Sequence, residues 1–595
     1  MANPLDIFQK RIEVFKNDYQ ILNRKYNVIA VVRIATFILF LIVSILAANY
    51  RMGTLLGLTV LAFPFVFGTI IILHNRISYE RKQAGFLQSI NEKETLIGKG
   101  NLSEQDKGEE YIDAKHAYTN DLDIFGANSL FQLVNRTSTG NGKNALASWL
   151  QTKATKEEIE NRHLAIKELA PKIDWRQDFQ AKGMHNDIRQ LDYSPLLSWL
   201  KESIHIKPLY KGFAMIMPVI TFLLIGLNIF SGVSFYYTLA AIFINFLVVS
   251  RFNQQMKDLS EAVIDHVGVL KSYSSLIKHL EESSFTTDYL QKLQSYFEQE
   301  GSKASLSISR LQKILDLLNA RSNFLYFFIN YTLLFDLVIL IRSERWKRKN
   351  QADIALWFDT IGEFEAISSL SAFQFSNPGY TLPAIDDNEF ILSGESLGHP
   401  LIKSNERVTN DFKMTGEGAI TIITGSNMSG KSTFLRTLGV NMVLAFTGAP
   451  VCANKLSLSL MQIFTGMRTV DNLEEHVSSF YAELKRIKAL LDLVELGQPV
   501  FYMLDEILKG TNSKDRHIGA VALAKQLSKT RSFGLISTHD LDLGKLDQEL
   551  NNVVNYSFNS QIEGNEIIFP YLLEKGICRS FNASKLMENM GIKIK

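Results

Sequence analysis

Hydrophobic residues are bunched along this chain, and their spacing changes character along its length. Residues 34–48 (IATFILFLIVSILAA) carry no charge, and the run extends back over 27–32 if Arg33 lays its stem on apolar surface and keeps its head in water. Residues 54–73 form a second uncharged run. Each approaches the ~20 residues that an α-helix needs to cross hydrocarbon. A second pair follows at 213–230 and 234–249, parted by Ser231 and Gly232. The pattern predicts two helical hairpins that cross a bilayer. A cleaved signal peptide competes for the first run, but a long charged stretch precedes it and another span follows at once. A buried hairpin of a soluble domain competes for the second pair, because Pro218 and Asn228 interrupt it.

Residues 76–120 are polar, and GKGNLSEQDKGEE at 98–110 reads as a flexible linker. Residues 121–205 and 252–350 place apolar side chains three and four apart, as in SRLQKILDLLNARSNFL, which predicts amphipathic helices. The apolar stretch 324–341 is broken by Asn330 and Asp336, and a fifth crossing would put the two chain ends on opposite sides of the bilayer. It is therefore read as a core helix of the soluble part. After about Phe375 the texture turns to short apolar runs bounded by Gly, Asn and Asp: AITIIT, PVFYML and SFGLIST. Such runs predict buried parallel strands of an α/β domain. The expected fold is multidomain. It comprises an N-terminal cytoplasmic segment (1–26), a transmembrane hairpin (27–75), a linker (76–120), a helical domain (121–350) with the second hairpin inserted at 213–250, and a C-terminal α/β domain (351–595).

Charge fixes the expected orientation. Lys10, Arg11, Lys16, Arg24 and Lys25 precede the first span and Arg76, Arg81 and Lys82 follow the second, whereas the hairpin turns hold only Arg51. By the positive-inside rule both termini are cytoplasmic, which makes a multi-pass membrane protein of four spans with its C-terminal domain in the cytoplasm. The 63 basic and 61 acidic residues leave a net charge of +2, so no global field recruits nucleic acid and any affinity must come from a local patch. Cys452 and Cys578 are the only cysteines, which excludes a disulfide framework and a four-cysteine zinc site and points to a reducing compartment.

The chemistry gathers after residue 419. Gly425, Ser426, Asn427, Met428, Ser429, Gly430, Lys431 and Ser432 fit two glycines four residues apart followed by Lys and Ser, between an apolar strand and a helix-forming stretch that opens with Thr433. Glycines let backbone N–H groups curl around phosphate oxygens, and the helix start adds a positive dipole end. Lys431 is expected at the β and γ phosphates of ATP, and Ser432 on Mg²⁺. Asp505 and Glu506 end the apolar run 501–504, with Asp505 expected on the metal side and Glu506 as general base for the attacking water. Strands often end in acids at loops, so this pair gains weight only beside the phosphate loop. His539 ends a third apolar run beside the same site and is a candidate sensor of the γ phosphate, although a lone histidine is more often structural.

These residues resemble the MutS family of ATPases, the mismatch-repair branch of the ABC-type fold. TGSNMSGKSTFLRTLG at 424–439 is similar to that family's loop, including Asn427 and Met428, and DEILKGTNSKD at 505–515 is similar to its Asp-Glu segment with Gly510 and Thr511 at the matching spacing. His399-Pro400, Asn410-Asp411 and GAPVCANKLSL at 448–458 match neighbouring elements. SSFYAE, from Ser478, resembles the family's signature helix, whose first serines in relatives reach the nucleotide of a partner subunit. The resemblance thus implies a homodimer with composite ATP sites to which Ser478 and Ser479 contribute; the competing role for that pair is a helix cap within its own chain. Segments 121–150 and 159–170 resemble the family's helical lever, and 333–347 more loosely its end. The region that carries a Phe-x-Glu wedge in mismatch-detecting relatives is here occupied by membrane spans, and the likeness of residues 579–592 to a nuclease-bearing branch stops at the ATPase end. Three functions follow. One is an ATP-driven dimeric switch anchored in lipid, acting through its levers on a protein partner. Another is the same switch bound to double-stranded DNA, for which family likeness is the main support. The third is an ABC-type transporter, disfavoured by four spans per chain. The basic run RSERWKRK at 342–349 is compatible with DNA but equally with a solvated helix end.

Overall fold

The computed structural model describes residues 3–185, 194–202, 204–263, 267–299, 302–322, 324–468, 479–563 and 566–579. Two 46-residue helices, Pro4–Asn49 and Gly53–Gly98, form an antiparallel hairpin that turns at Arg51, whose φ is 51°. At 1.5 Å per residue each is about 69 Å long, roughly twice the hydrocarbon thickness of a bilayer. The halves next to the turn are apolar and uncovered. Ala47 beside the turn is buried, whereas the apolar side chains around it are open, Phe65 being 79% exposed. Phe40 and Phe63 stack between the two helices at 3.9 Å.

The far halves are polar outside and buried where they meet the helical domain. Phe8 packs edge-on to Phe375, Arg11 donates to Gln177 Oε1 at 2.9 Å, and the amides of Asn91 and Gln177 bond reciprocally. Glu94 pairs with Arg136, both buried, in two hydrogen bonds. The expected linker at 76–120 is therefore corrected in its first half: the helix runs on to Gly98 and buries Ile77, Ala84, Ile90 and Ile97. Those positions are six or seven apart, near two helical turns, so one narrow stripe is buried while the average composition stays polar. The remainder is irregular and strapped down. Gln132 Nε2 donates to the carbonyls of Leu102 and Gln105, and Gly108 turns left-handed where a Cβ would lie 2.9 Å from Phe131.

The helical domain is organised on Ile354–Ser376, which buries Trp357, Phe358, Ile361 and Phe364 in one core and Leu370 and Phe373 in the core shared with the sheets. Helix Gly140–Gln151 starts against it: buried Glu365 accepts from the backbone N–H and hydroxyl of both Ser138 and Thr139. A second apolar hairpin, Pro208–Ser231 and Phe235–Ser250, is inserted in this domain and reverses direction at a left-handed Gly232. The stretch read as one core helix is two, Phe324–Leu333 and Phe335–Asn350, bent by 71° at Leu334. The first lies against the apolar hairpin with Phe327 and Phe328 exposed; the second enters the helical core. Asn330 and Asp336 are not interruptions of a core helix. They satisfy each other across the bend: Asn330 Nδ2 donates to Asp336 Oδ2 and Asn330 Oδ1 accepts from the Asp336 backbone N–H, each at 2.9 Å, and Tyr326 and Arg321 complete the shell of buried Asp336. Asn245 Nδ2 ties the group together through Thr221 Oγ1 and the Tyr331 carbonyl, the interhelical polar contact that apolar helices use.

The C-terminal part is α/β. A six-stranded sheet runs in the order Leu573–Lys575, Val553–Phe558, Ile420–Gly425, Ser532–Thr538, Val500–Asp505, Gln462–Gly466, parallel except at the first pair. The three central strands include the apolar runs read as buried strands. A four-stranded sheet (Ala384–Asp386, Lys455–Ser459, Ile391–Leu397, Asn410–Thr415) packs alongside, and helix Lys431–Thr447 is buried between the layers.

Candidate functional site

The site lies at the carboxyl edge of the parallel strands, where loops from neighbouring strands converge. Strand Ile420–Gly425 is buried throughout and stands between Ser532–Thr538 and Val553–Phe558. Its loop needs its glycines. A Cβ on Gly425 would lie 2.7 Å from Ser429 Oγ, and Gly430 has φ 103° with Tyr571 against it. Met428 at the loop tip is 75% exposed with φ 68°, and Asn427 is exposed beside it.

Lys431 is buried at the helix start. Its Nζ donates to the carbonyls of Gly425 (2.9 Å) and Ser426 (3.0 Å) and lies 3.5 Å from His539 Nε2. Burial lowers its pKa, a cost that a nearby anion would relieve. The hydroxyls of Ser426 and Ser429 are buried and have no partner among the described residues, an arrangement that is costly unless something else bonds them. Ser432 Oγ donates to Asp505 Oδ2 at 2.5 Å, and Ser537, paired with Asp505 in the strand register, donates to the other carboxylate oxygen.

Glu506 follows in a left-handed conformation, φ 52°, fixed by its N–H on the Ser537 carbonyl at 3.0 Å. Its carboxylate pairs with His539 Nε2 and lies 3.2 Å from Lys509 Nζ. The His539 hydrogen bond, with help from Lys509, overcomes desolvation and holds the Glu506 carboxyl at about 2. Lys431, Ser432, Asp505, Glu506 and His539 are thus within one cluster. Thr433 lines the adjoining cavity of about 450 Å³, which His399, Asn410, Phe558 and Tyr571 also border. Burial and the cations Arg436 and Arg407 depress His399 to about 4, so its ring is neutral. Ser478 lies outside the described residues, and Ser479 begins the helix Ser479–Glu495.

Sequence reasoning gave no role to Lys509, Glu483 or Tyr571. Glu483 accepts the backbone N–H groups of Leu508 and Lys509, fixing the loop that follows Glu506, and Gly510 admits Phe480 where a Cβ would clash at 2.6 Å. Asn410 clamps the Tyr571 segment, donating to its carbonyl at 3.0 Å and accepting from Leu573 N–H at 2.8 Å. Tyr571 lies far along the chain in no motif, so only the fold brings it to the loop.

The strand, glycine loop and buried lysine helix, with paired acids at the end of a nearby strand, define an α/β domain whose loop, Lys431, Ser432 and Glu506 border one cavity. Residues 421–591 match the family model described as MutS domain V. The chain is 32% identical over 243 residues to the DNA mismatch repair protein MutS of Staphylococcus haemolyticus, covering 40% of this chain and 26% of that protein. It is 30% identical over 222 residues to the protein of the same name from Thermotoga maritima (37% and 27%), and 30% identical over 234 residues to MutS protein homolog 4 of Mus musculus (38% and 24%). Through this region the chain is similar to the MutS family. It spans about a quarter of the length of the curated relatives it matches.

Proposed function

We propose that this chain is a membrane-anchored, Mg²⁺-dependent ATPase in which ATP joins two copies and its hydrolysis moves the helical domains. The observation that carries the proposal is the cluster of a buried lysine, a serine–aspartate pair and a glutamate–histidine pair around a loop with two unpartnered buried hydroxyls. Hydroxyl and carboxylate oxygens suit Mg²⁺, so Ser432 and Asp505 would hold it; once bound, it neutralises charge on the phosphate oxygens. Ser426, Ser429 and the loop N–H groups bind phosphate, and Lys431 exchanges two loop carbonyls for phosphate oxygens. Glu506 orients the attacking water and accepts its proton at Oε1 or Oε2. With His539 on Glu506 that oxygen is occupied. Transfer of His539 to a γ phosphate frees the base only when substrate is present. Ser478 and Ser479 reach the site of the second copy.

The uncovered apolar halves of Pro4–Asn49 and Gly53–Gly98 and the exposed helix Pro208–Ser231 support membrane anchoring, with three helices long and apolar enough to cross and up to five if each bent pair is one span. The reading of four spans with the α/β domain cytoplasmic rests on the Lys and Arg residues that flank them. Relatives named for DNA mismatch repair make double-stranded DNA the partner to test first; a protein partner is the alternative. The test is ATPase activity in membranes washed with alkaline carbonate. The wild-type chain should stay in the pellet and hydrolyse ATP, and Lys431→Ala should stay there with activity and nucleotide binding lost. A chain released by carbonate, or a Lys431→Ala variant that binds ATP normally, would contradict the proposal.

A further inference from the structure

The basic run 342–349 is not a uniform solvated face. Within it Glu344 and Lys347 are buried and pair at 2.6 Å, and Lys347 also donates to the Trp199 carbonyl, so that cation is spent internally. Arg345, Arg348 and Lys349 are exposed and line a cleft of about 330 Å³ with Lys211. Among the described residues none of these four has a carboxylate within 4.0 Å. Ile204, Ile206 and Ile341 also line the cleft, Ile204 held by its N–H on Glu344 Oε2 at 3.2 Å and Ile206 almost wholly buried.

The position of the cleft matters as much as its charge. Lys211 lies in the first turn of the apolar helix Pro208–Ser231, and the Arg345 helix continues from the bend after Phe324–Leu333, whose Phe327 and Phe328 are exposed. The four cations therefore ring the level at which apolar helices end, with isoleucines beside them. Phosphate contacts need cations without internal partners, and acyl chains need adjoining apolar surface. DNA would find the charge but not a use for the isoleucines.

We propose that this cleft binds the phosphodiester headgroup of an anionic phospholipid and fixes the helical domain to the bilayer surface. The assignment rests on the membrane anchoring proposed above. The full chain in detergent, mixed with dioleoyl phosphatidylglycerol or dioleoyl phosphatidylcholine, is examined by native mass spectrometry for retained lipid. The anionic lipid should be retained preferentially, and each glutamine in Lys211→Gln/Arg345→Gln/Arg348→Gln should lower that preference about fivefold. Arg345→Lys/Arg348→Lys should keep it, which separates lost charge from lost folding. Equal retention of both lipids, a preference that survives the glutamine variant, or stronger binding of glycerol phosphate or a duplex oligonucleotide would overturn the proposal. Release of the chain by alkaline carbonate would instead refute the anchoring, whereas equal retention by a carbonate-resistant chain refutes the headgroup site alone.

Discussion

Removing Glu94 should loosen the first hairpin from the helical domain. Its carboxylate and the Arg136 guanidinium have side-chain exposures of 5% and 6%, and Ser376 Oγ donates to the same carboxylate at 3.2 Å. Glu94→Ala leaves Arg136 buried beside Arg176 with no counter-charge, and breaking such a pair costs about 3–5 kcal/mol. With the hairpin anchored as proposed, the penalty is local, because detergent or lipid holds its apolar half regardless. Amide exchange over 84–97 reports the opening of this joint, and 3 kcal/mol corresponds to roughly a hundredfold faster exchange. Glu94→Leu/Arg136→Met should exchange more slowly than either single variant, since it removes both charges and leaves the Leu133 and Asn135 carbonyls without the Arg136 donor and the Ser376 hydroxyl without its acceptor, all neutral groups. Exchange within about fivefold of wild type for Glu94→Ala, or additive effects in the double variant, would refute the reasoning.

Reporters fused after Met52 and after Gly232 should be external and one after Lys595 internal; an internal Met52 reporter would overturn the orientation. Mixing Glu506→Gln with Ser478→Ala/Ser479→Ala chains should recover hydrolysis that each lacks alone, and no recovery despite demonstrated mixed dimers would return the serines to a cap within their own chain. The Glu506 pair also predicts a pH effect on stability. A carboxyl held at about 2 against an ordinary 4.5 contributes stability above 4.5 that is lost as pH falls toward 2. The difference in unfolding temperature between wild type and Glu506→Gln should therefore shrink across that window, and a constant difference would show that the pairing does not set it.

Much of the site was legible because strand, glycine loop and acid pair are each written locally: Ile420–Gly425, Val500–Asp505 and Ser532–Thr538 are short apolar runs with chemistry at their ends. The hairpins were legible for the same reason. What was lost depended on stripes and partners rather than on averages. Ile77, Ala84, Ile90 and Ile97 are single buried residues in a polar stretch, so composition read a linker where a helix continues. Asn330 and Asp336 looked disqualifying for an apolar helix because each was judged alone, whereas the bend at Leu334 lets them bond each other. Glu506 and His539 were assigned separate tasks, and their pairing follows only from the register that places Ser537 opposite Asp505.

The central claim is that Glu506 activates water for hydrolysis in a site that binds ATP without it. Binding and single-turnover hydrolysis of ATP by carbonate-washed wild-type and Glu506→Gln membranes test this directly. The variant should bind ATP as wild type does and hydrolyse it slower by a factor of ~10² or more. Hydrolysis at the wild-type rate would contradict the account.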